Sequence, residues 1–391
     1  MRHFLRALKW ILLTVLGVPL SLYFIVLLIN MQDEAPSERS KRNFAKIADN
    51  ERTLAQHPEN NAYIFALGFN VPKDSAPMAA GVERLQLLQS LGILDTADDR
   101  LTPRFELPEQ PLENCLNRDD FLLACRSNLE QKNNLKTLLA ENRWIIERYR
   151  QMLGMGSWQE SSQYHFFIQD LTFQHLIGAQ KLYLLDIYAK AGTIAPELIA
   201  QAIDQDMLFW QKVSANTHFL IRKMVSMAAM EINMKLGELI IAQLSQQQQL
   251  AAIPQSWPNP MPSQVLSLNN VKLGEWHYFT KITQATQGVA DTSDIETLGA
   301  KFLLLPLMQQ QDTANRYADI LAGTADMREC PNDLTVDTIS QYIYNPMGKF
   351  ILCSSIPSFQ SYRESLDELE YNRASLVSRL KQPAPDMAIT R

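Results

Sequence analysis

Residues Trp10 to Asn30 form an uncharged, apolar run of 21 residues behind a basic N-terminus. No other feature restricts the fold as strongly. In hydrocarbon every backbone N–H and C=O must find a partner within protein, so a lone run of this kind has to be helical. At about 1.5 Å of rise per residue it spans roughly 31 Å, which matches a bilayer core of about 30 Å. Pro19 is compatible with such a helix, because local adjustments re-satisfy the backbone group it frees. The chain is therefore expected to comprise a short N-terminus (1–9), a transmembrane anchor (10–31) and a polar remainder.

The flanks orient the anchor. Arg2, Arg6 and Lys9 precede it, while Asp33 and Glu34 follow at once. The positive-inside bias keeps the N-terminus cytoplasmic and exports the rest, giving a single-pass inner-membrane protein with a periplasmic domain. A cleaved signal peptide is the competing reading. It requires an apolar core of about 7–15 residues and a small-x-small cleavage site, and Leu28-Ile29-Asn30-Met31 offers no such site.

Of 36 Lys/Arg and 42 Asp/Glu residues, three basic and no acidic ones lie in 1–31, so the exported part carries −9. An acidic exterior without Lys/Arg clusters argues against nucleic acid as a partner. Four cysteines agree with an oxidising compartment. Cys115 and Cys125 lie ten apart and Cys330 and Cys353 lie 23 apart, so two local bridges are the simplest of the three pairings. Each would contribute about 3 kcal/mol by the chain-entropy model. Buried free thiols are the plain alternative.

The remainder reads as mainly α: a juxtamembrane segment (32–60), a helical periplasmic domain (61–380) with a possible lobe boundary in the proline-rich 250–265 stretch, and a flexible tail (381–391). Apolar spacings of three and four predict helices over 41–57, 77–91, 134–153, 173–190, 196–215, 217–249, 313–321 and 358–380. Short links between the middle ones favour antiparallel neighbours in a bundle or short array. Asn345-Pro346-Met347-Gly348 suits a type I turn.

Chemistry is less legible. No HExxH, GxSxG, GxxxxGK[ST] or CxxC occurs, so no catalytic, cofactor or metal residue is assigned. Gly154-Met-Gly156 reads as a helix C-cap or turn rather than a phosphate loop. Met224, Met227, Met230 and Met234 form a stripe that reads as core packing rather than a copper site. His165 and His175 flank Asp170, too far round a helix to act as an i, i+4 ligand pair. Lys223 sits on the apolar stretch Phe219–Ile232 and, if buried, calls for a carboxylate from Asp204, Asp206 or Glu231. His175, Lys223 and Glu231 are accordingly the pocket candidates.

Asn61–Phe69, Asp206-Met-Leu-Phe-Trp210 with Leu220-Ile221-Arg222-Lys223-Met224, Leu303–Asp319 and Tyr344–Leu352 together resemble a family of uncharacterised, single-pass, inner-membrane-anchored proteins of Gram-negative bacteria. The resemblance departs at Gln311-Asp312, where relatives tend to carry Pro-Asn. It implies an envelope location and no activity. The expectation is a membrane-anchored periplasmic binding or scaffolding protein with an envelope protein partner. The alternatives are a periplasmic hydrolase of a cell-wall substrate and a subunit of an inner-membrane complex.

Overall fold

The computed structural model describes residues 2–54, 56, 58–96, 105–108, 112, 114–131, 134–163, 165–168, 170–288, 303–324, 335–355 and 358–381. It is mainly helical, with no strand among the described residues and one isolated bridge between Asn61 and Ser157. In chain order the described helices are α1 (Arg2–Ile29), α2 (Glu38–Leu54), α3 (Ala62–Leu67), α4 (Pro77–Ser90), α5 (Phe121–Gln131), α6 (Leu135–Glu141), α7 (Arg143–Leu153), α8 (Phe173–Lys190), α9 (Pro196–Asn216), α10 (Leu220–Ile241), α11 (Gln246–Ala251), α12 (Ser263–Leu266), α13 (Asn269–Gly288), α14 (Gln310–Leu321), α15 (Val336–Gln341), α16 (Pro346–Ser355) and α17 (Phe359–Lys381). Short 3-10 turns lie at Pro58–Asn60 and Leu305–Leu307.

Helices α8 and α9 fall where the apolar spacing puts them, Pro196 taking the first turn of α9, where its missing N–H costs nothing. Two expected helices are divided. Asn142 closes α6 and opens α7 within 134–153, its side-chain amide donating back to Leu138 O. The stretch 217–249 yields α10 and then α11, where Ser245 N–H donates to Gln248 Oε1, so the glutamine tract starts a helix. Gly154 is the C-cap of α7, its N–H reaching Arg150 O. Helices α3, α5, α12, α13, α15 and α16 were not anticipated.

The chain divides into two compact units, residues 1–48 with 276–357 and residues 49–275 with 358–391; the 250–265 loop lies wholly within the second. The second unit has one apolar core. Ile199, Ile203, Met207 and Trp210 of α9 meet Met227, Met230 and Met234 of α10, with Leu182 and Leu185 of α8 and Leu369 and Leu376 of α17 in the same cluster. The methionine stripe is thus core. Helices α3 and α4 touch backbone to backbone: a Cβ on Gly81 would lie 1.8 Å from Ile64 O, and one on Gly68 2.0 Å from Pro77 O. Arg148 holds the link between them, donating to the carbonyls of Phe69 and Val71 at 2.7 Å each and Pro72 at 3.0 Å. The Cys115–Cys125 bridge ties α5 to the turn before it, with the Cα atoms 5.1 Å apart. The Cys330–Cys353 pairing cannot be placed, since Cys330 lies outside the described residues.

In the first unit α1 is long and apolar enough to cross a membrane over Lys9–Ile29. Its end is locked by polar side chains. Asn30 donates to Ile343 O at 2.7 Å and accepts from Asn345 N at 2.7 Å, and Gln309 Nε2 donates to Asn30 O. Asp33 accepts the backbone N–H groups of Gln311 and Asp312 at 2.7 and 3.0 Å, a carboxylate at the positive end of α14. Asn345 is the one non-glycine with positive φ (52°) among the described residues, a conformation that asparagine tolerates. Its Nδ2 donates to Asp312 at 2.7 Å and Thr313 at 2.8 Å, and its Oδ1 accepts from Gln309 and Gly348. The isolated turn expected at 345–348 is therefore a helix start: Pro346 is the first residue of α16, and the Asn345 side chain caps the exposed N–H of Gly348.

Candidate functional site

The segment between α7 and α8, residues 154–172, carries the chemistry of the second unit. Its described residues are not helical, and several bond to neighbours: Ala62 N to Ser157 O at 2.9 Å, Gln159 N to Asn61 Oδ1 at 3.0 Å, Asn61 Nδ2 to Gln159 O at 2.8 Å and Phe166 N to Ile93 O at 2.8 Å. Asn50 Nδ2 adds bonds to Glu160 O at 2.8 Å and Ser162 Oγ at 2.7 Å.

Glu160 and Asp170, on this segment, meet Arg222 from the first turn of α10. Arg222 Nη1 lies 2.8 Å from Glu160 Oε2, with the two side chains 2 % and 0 % exposed, and Nη2 bonds Asp170 Oδ2. Charges so deeply buried survive only when their remaining hydrogen-bonding capacity is met. Glu160 accepts Trp158 Nε1 at 2.8 Å, Thr217 Oγ1 at 3.1 Å and His218 N at 3.0 Å. Asp170 accepts the Tyr63 hydroxyl at 3.0 Å and Leu171 N at 2.8 Å. The guanidinium also lies over the rings of Phe219 (4.4 Å) and Tyr63 (5.3 Å), stacking that suits its weak hydration. Burial pulls the Arg222 pKa down, but Asp170 and Glu160 outweigh it and the net shift is upward. Burial, then the Asp170 charge, raises the Tyr63 hydroxyl well above its usual range. Arg222 stands against two carboxylates, and buried Arg84 adds a second cation that interacts with Asp170.

This cluster forms one wall of a pocket of about 310 Å³, lined by Gln163, His165, Asp170 and Arg222 together with apolar Phe166, Phe167, Ile168, Phe173 and Ile221. His165 Nδ1 lies 3.2 Å from Gly92 O, and a carbonyl can only accept, so Nδ1 carries the proton. The opposite nitrogen, Nε2, is buried and bonds nothing among the described residues. His165 and Asp170 therefore line the same pocket, whose walls include two adjacent phenylalanines. His165 and Asp170 were visible in the sequence as neighbours. Their joining by Tyr63, Glu160 and Arg222 was not.

The three pocket candidates from the sequence each find separate settings. His175 Nε2 pairs with Phe105 O at 2.8 Å beneath the Phe105 ring. Glu231, half-exposed, pairs with Lys235 at 2.8 Å. Lys223 is fully buried but meets none of the carboxylates proposed for it. Its Nζ donates to the carbonyls of Ser214 and Val265, near the ends of α9 and α12, where the partial negative charge of helix termini serves as its counter-charge. Desolvation lowers its pKa to about 8.

Asp206 also lacks a cation. It accepts the Tyr149 hydroxyl at 2.5 Å, Gln180 Nε2 at 2.8 Å and Asn233 Nδ2 at 2.9 Å, and Trp210 Nε1 donates to Tyr149 at 2.8 Å. The Asp206…Trp210 spacing thus places both residues on the face of α9 that meets Tyr149. Burial raises the Asp206 pKa to about 6, against the lowering effect of its donors. The folded state therefore binds this proton more tightly than the unfolded chain, with an ordinary value near 3.9. The associated stability is full below about pH 4, is lost as pH rises to about 6, and amounts to about 3 kcal/mol. Urea unfolding of Asp206→Asn at pH 4 and pH 7 should show this dependence removed. An unchanged pH profile would mean that Asp206 does not titrate in the fold.

Among the described residues no group of three or more His, Cys, Asp or Glu side chains is placed to hold a metal ion. Comparison with protein-family models, curated proteins and solved structures finds no match to this chain.

Proposed function

We propose that this chain is a membrane-anchored binding protein of the bacterial envelope. In this reading α1 lies in the inner membrane with its N-terminus cytoplasmic, and the second compact unit lies in the periplasm. The basic residues before the span, the acidic ones after it and the Cys115–Cys125 bridge support that placement. The short links between α8, α9 and α10 support an antiparallel packing of those helices. The binding function rests on one observation: the partly exposed Asp170 carboxylate and His165 line one aromatic-walled pocket. That lining suits a ligand, free or displayed by an envelope protein partner, with an apolar body and a cationic or N–H-bearing end. A hydrolase would need the polar candidates to converge, and His175, Lys223 and Glu231 are each paired elsewhere.

Benzylamine and benzoate test this, titrated by calorimetry into the full-length protein in detergent micelles. At about 0.5 kcal/mol per non-hydrogen atom, benzylamine should bind with a Kd on the order of 1 mM. Benzoate, repelled by the Asp170 carboxylate, should not saturate. Ile221→Trp, at a half-exposed position on the pocket wall, should abolish benzylamine binding with Tm unchanged. Equal binding of benzoate, or benzylamine binding indifferent to Ile221→Trp, would overturn the reading.

A further inference from the structure

The segment Leu303-Leu304-Leu305-Pro306-Leu307 has no role in the pocket, and its leucines are out of place for a water-facing turn. Leu303 is 54 % and Leu304 44 % exposed. Two contacts fix where the segment lies along α1. Gln309, just after it, reaches the carbonyl of Asn30, and Leu303, at its start, accepts the Tyr23 hydroxyl at 3.1 Å. Tyr23 and Asn30 are seven residues apart on one helix, about 10 Å of axial rise. Burial along α1 agrees: Tyr23, Val26, Leu27 and Asn30, at i, i+3, i+4 and i+7, are the shielded positions, while Phe24, Ile25, Leu28 and Ile29 stay exposed.

We infer that residues 303–307 are a second membrane-inserted element, reaching about 10 Å into the same leaflet that receives the end of α1. The inference rests on the proposed anchor. If the apolar run fills the hydrocarbon core, Asn30 marks its edge and Leu303 lies inside it. The occupant of the exposed leucine face is then lipid, because that face continues the exposed apolar surface of α1 itself. Several of its backbone groups are met within protein, as this depth requires. Leu307 N donates to Leu304 O at 3.0 Å, Met308 N to Leu305 O at 3.1 Å, Pro306 has no N–H to satisfy, and the Leu303 carbonyl is met by Tyr23. Irregular backbone is tolerated in a bilayer where protein meets its polar groups in this way. Two inserted elements clasped by Asn30, Gln309 and Asn345 would fix the angle at which the first unit leaves the membrane, as a single helix on a loose tether would not.

The test is nitroxide labelling of Leu304→Cys, Phe24→Cys and Val336→Cys in the full-length chain. The protein is kept unreduced in phosphatidylethanolamine–phosphatidylglycerol vesicles, with the wild-type label signal subtracted. Collision with oxygen over a polar nickel reagent reports depth. Phe24 is the bilayer reference and Val336, 82 % exposed in the same unit, the water reference. Leu304 should match Phe24, with oxygen collisions favoured several-fold relative to Val336. A Leu304 signal like that of Val336, with Phe24 in lipid, would overturn insertion of this segment alone. All three signals in water would overturn the anchor and the inference together.

Discussion

Replacing Arg222 by methionine is expected to lower the unfolding free energy by about 4 kcal/mol, within the range for breaking one side of a buried ion pair. Methionine retains part of the contact with Phe219 and Tyr63 but carries no charge. Asp170 is partly exposed and can turn towards the pocket water, so the loss falls mainly on Glu160, which is wholly enclosed. Trp158, Thr217 and His218 continue to donate to Glu160, yet neutral dipoles do not replace a cation at 2.8 Å. The diagnostic comparison is with Glu160→Gln and the double variant, by urea unfolding of the full-length protein in micelles. Glu160→Gln alone also destabilises, since it weakens the bond to Arg222. In the double variant the charge that had lost its partner is gone, so its loss should be smaller than the sum of the singles by about 2 kcal/mol. Strictly additive losses would mean that the two side chains are not coupled.

What the sequence showed and what it hid divide along contact range. Helix α8 was legible because Leu182, Leu185 and Tyr188 stand three apart and Leu184 four before Tyr188, although the folded helix is buried on most sides. Asn142 was visible as an interruption of the apolar stripe, but the apolar residues that continue on both sides of it carried the expected helix across the break. The site was harder. Tyr63, Glu160, Asp170 and Arg222 are drawn from three stretches of chain, and no local spacing encodes their meeting. Lys223 shows a different failure. A buried cation was expected to require a carboxylate, but the ends of α9 and α12 offer carbonyl oxygens that meet the same electrostatic need without an acidic residue. Arg148 does likewise with the carbonyls of the α3–α4 link, and burial lowers its pKa to about 10. Carbonyl cages leave no trace in residue type, so charge pairing read from sequence misses them.

The second large effect is expected at a residue with no side chain. Gly81→Ala should destabilise by about 3 kcal/mol, even though alanine is favoured over glycine within a helix by roughly 1 kcal/mol. The added methyl would stand 1.8 Å from Ile64 O and 2.8 Å from Ile64 C, and backbone cannot rotate aside as a side chain can. Relief therefore requires α3 and α4 to part. Neither is free to move: Arg84 of α4 donates to Leu67 O at 3.2 Å, and Arg148 clamps the connecting carbonyls. At the other end of α3, Asn61 and Ala62 hold Gln159 and Ser157, and Tyr63 bonds Asp170. A shift of α3 is thus passed to the segment that carries Glu160 and the pocket, and Gly81→Ala should weaken benzylamine binding as well as lower Tm. Gly192→Ala, after α8, would place its methyl with nothing within 4 Å and should stay within about 0.5 kcal/mol of the parent. Equal melting temperatures for the two variants would show that the backbone contact between α3 and α4 does not form. A loss of stability with unchanged benzylamine affinity would show that the contact forms but is insulated from the pocket.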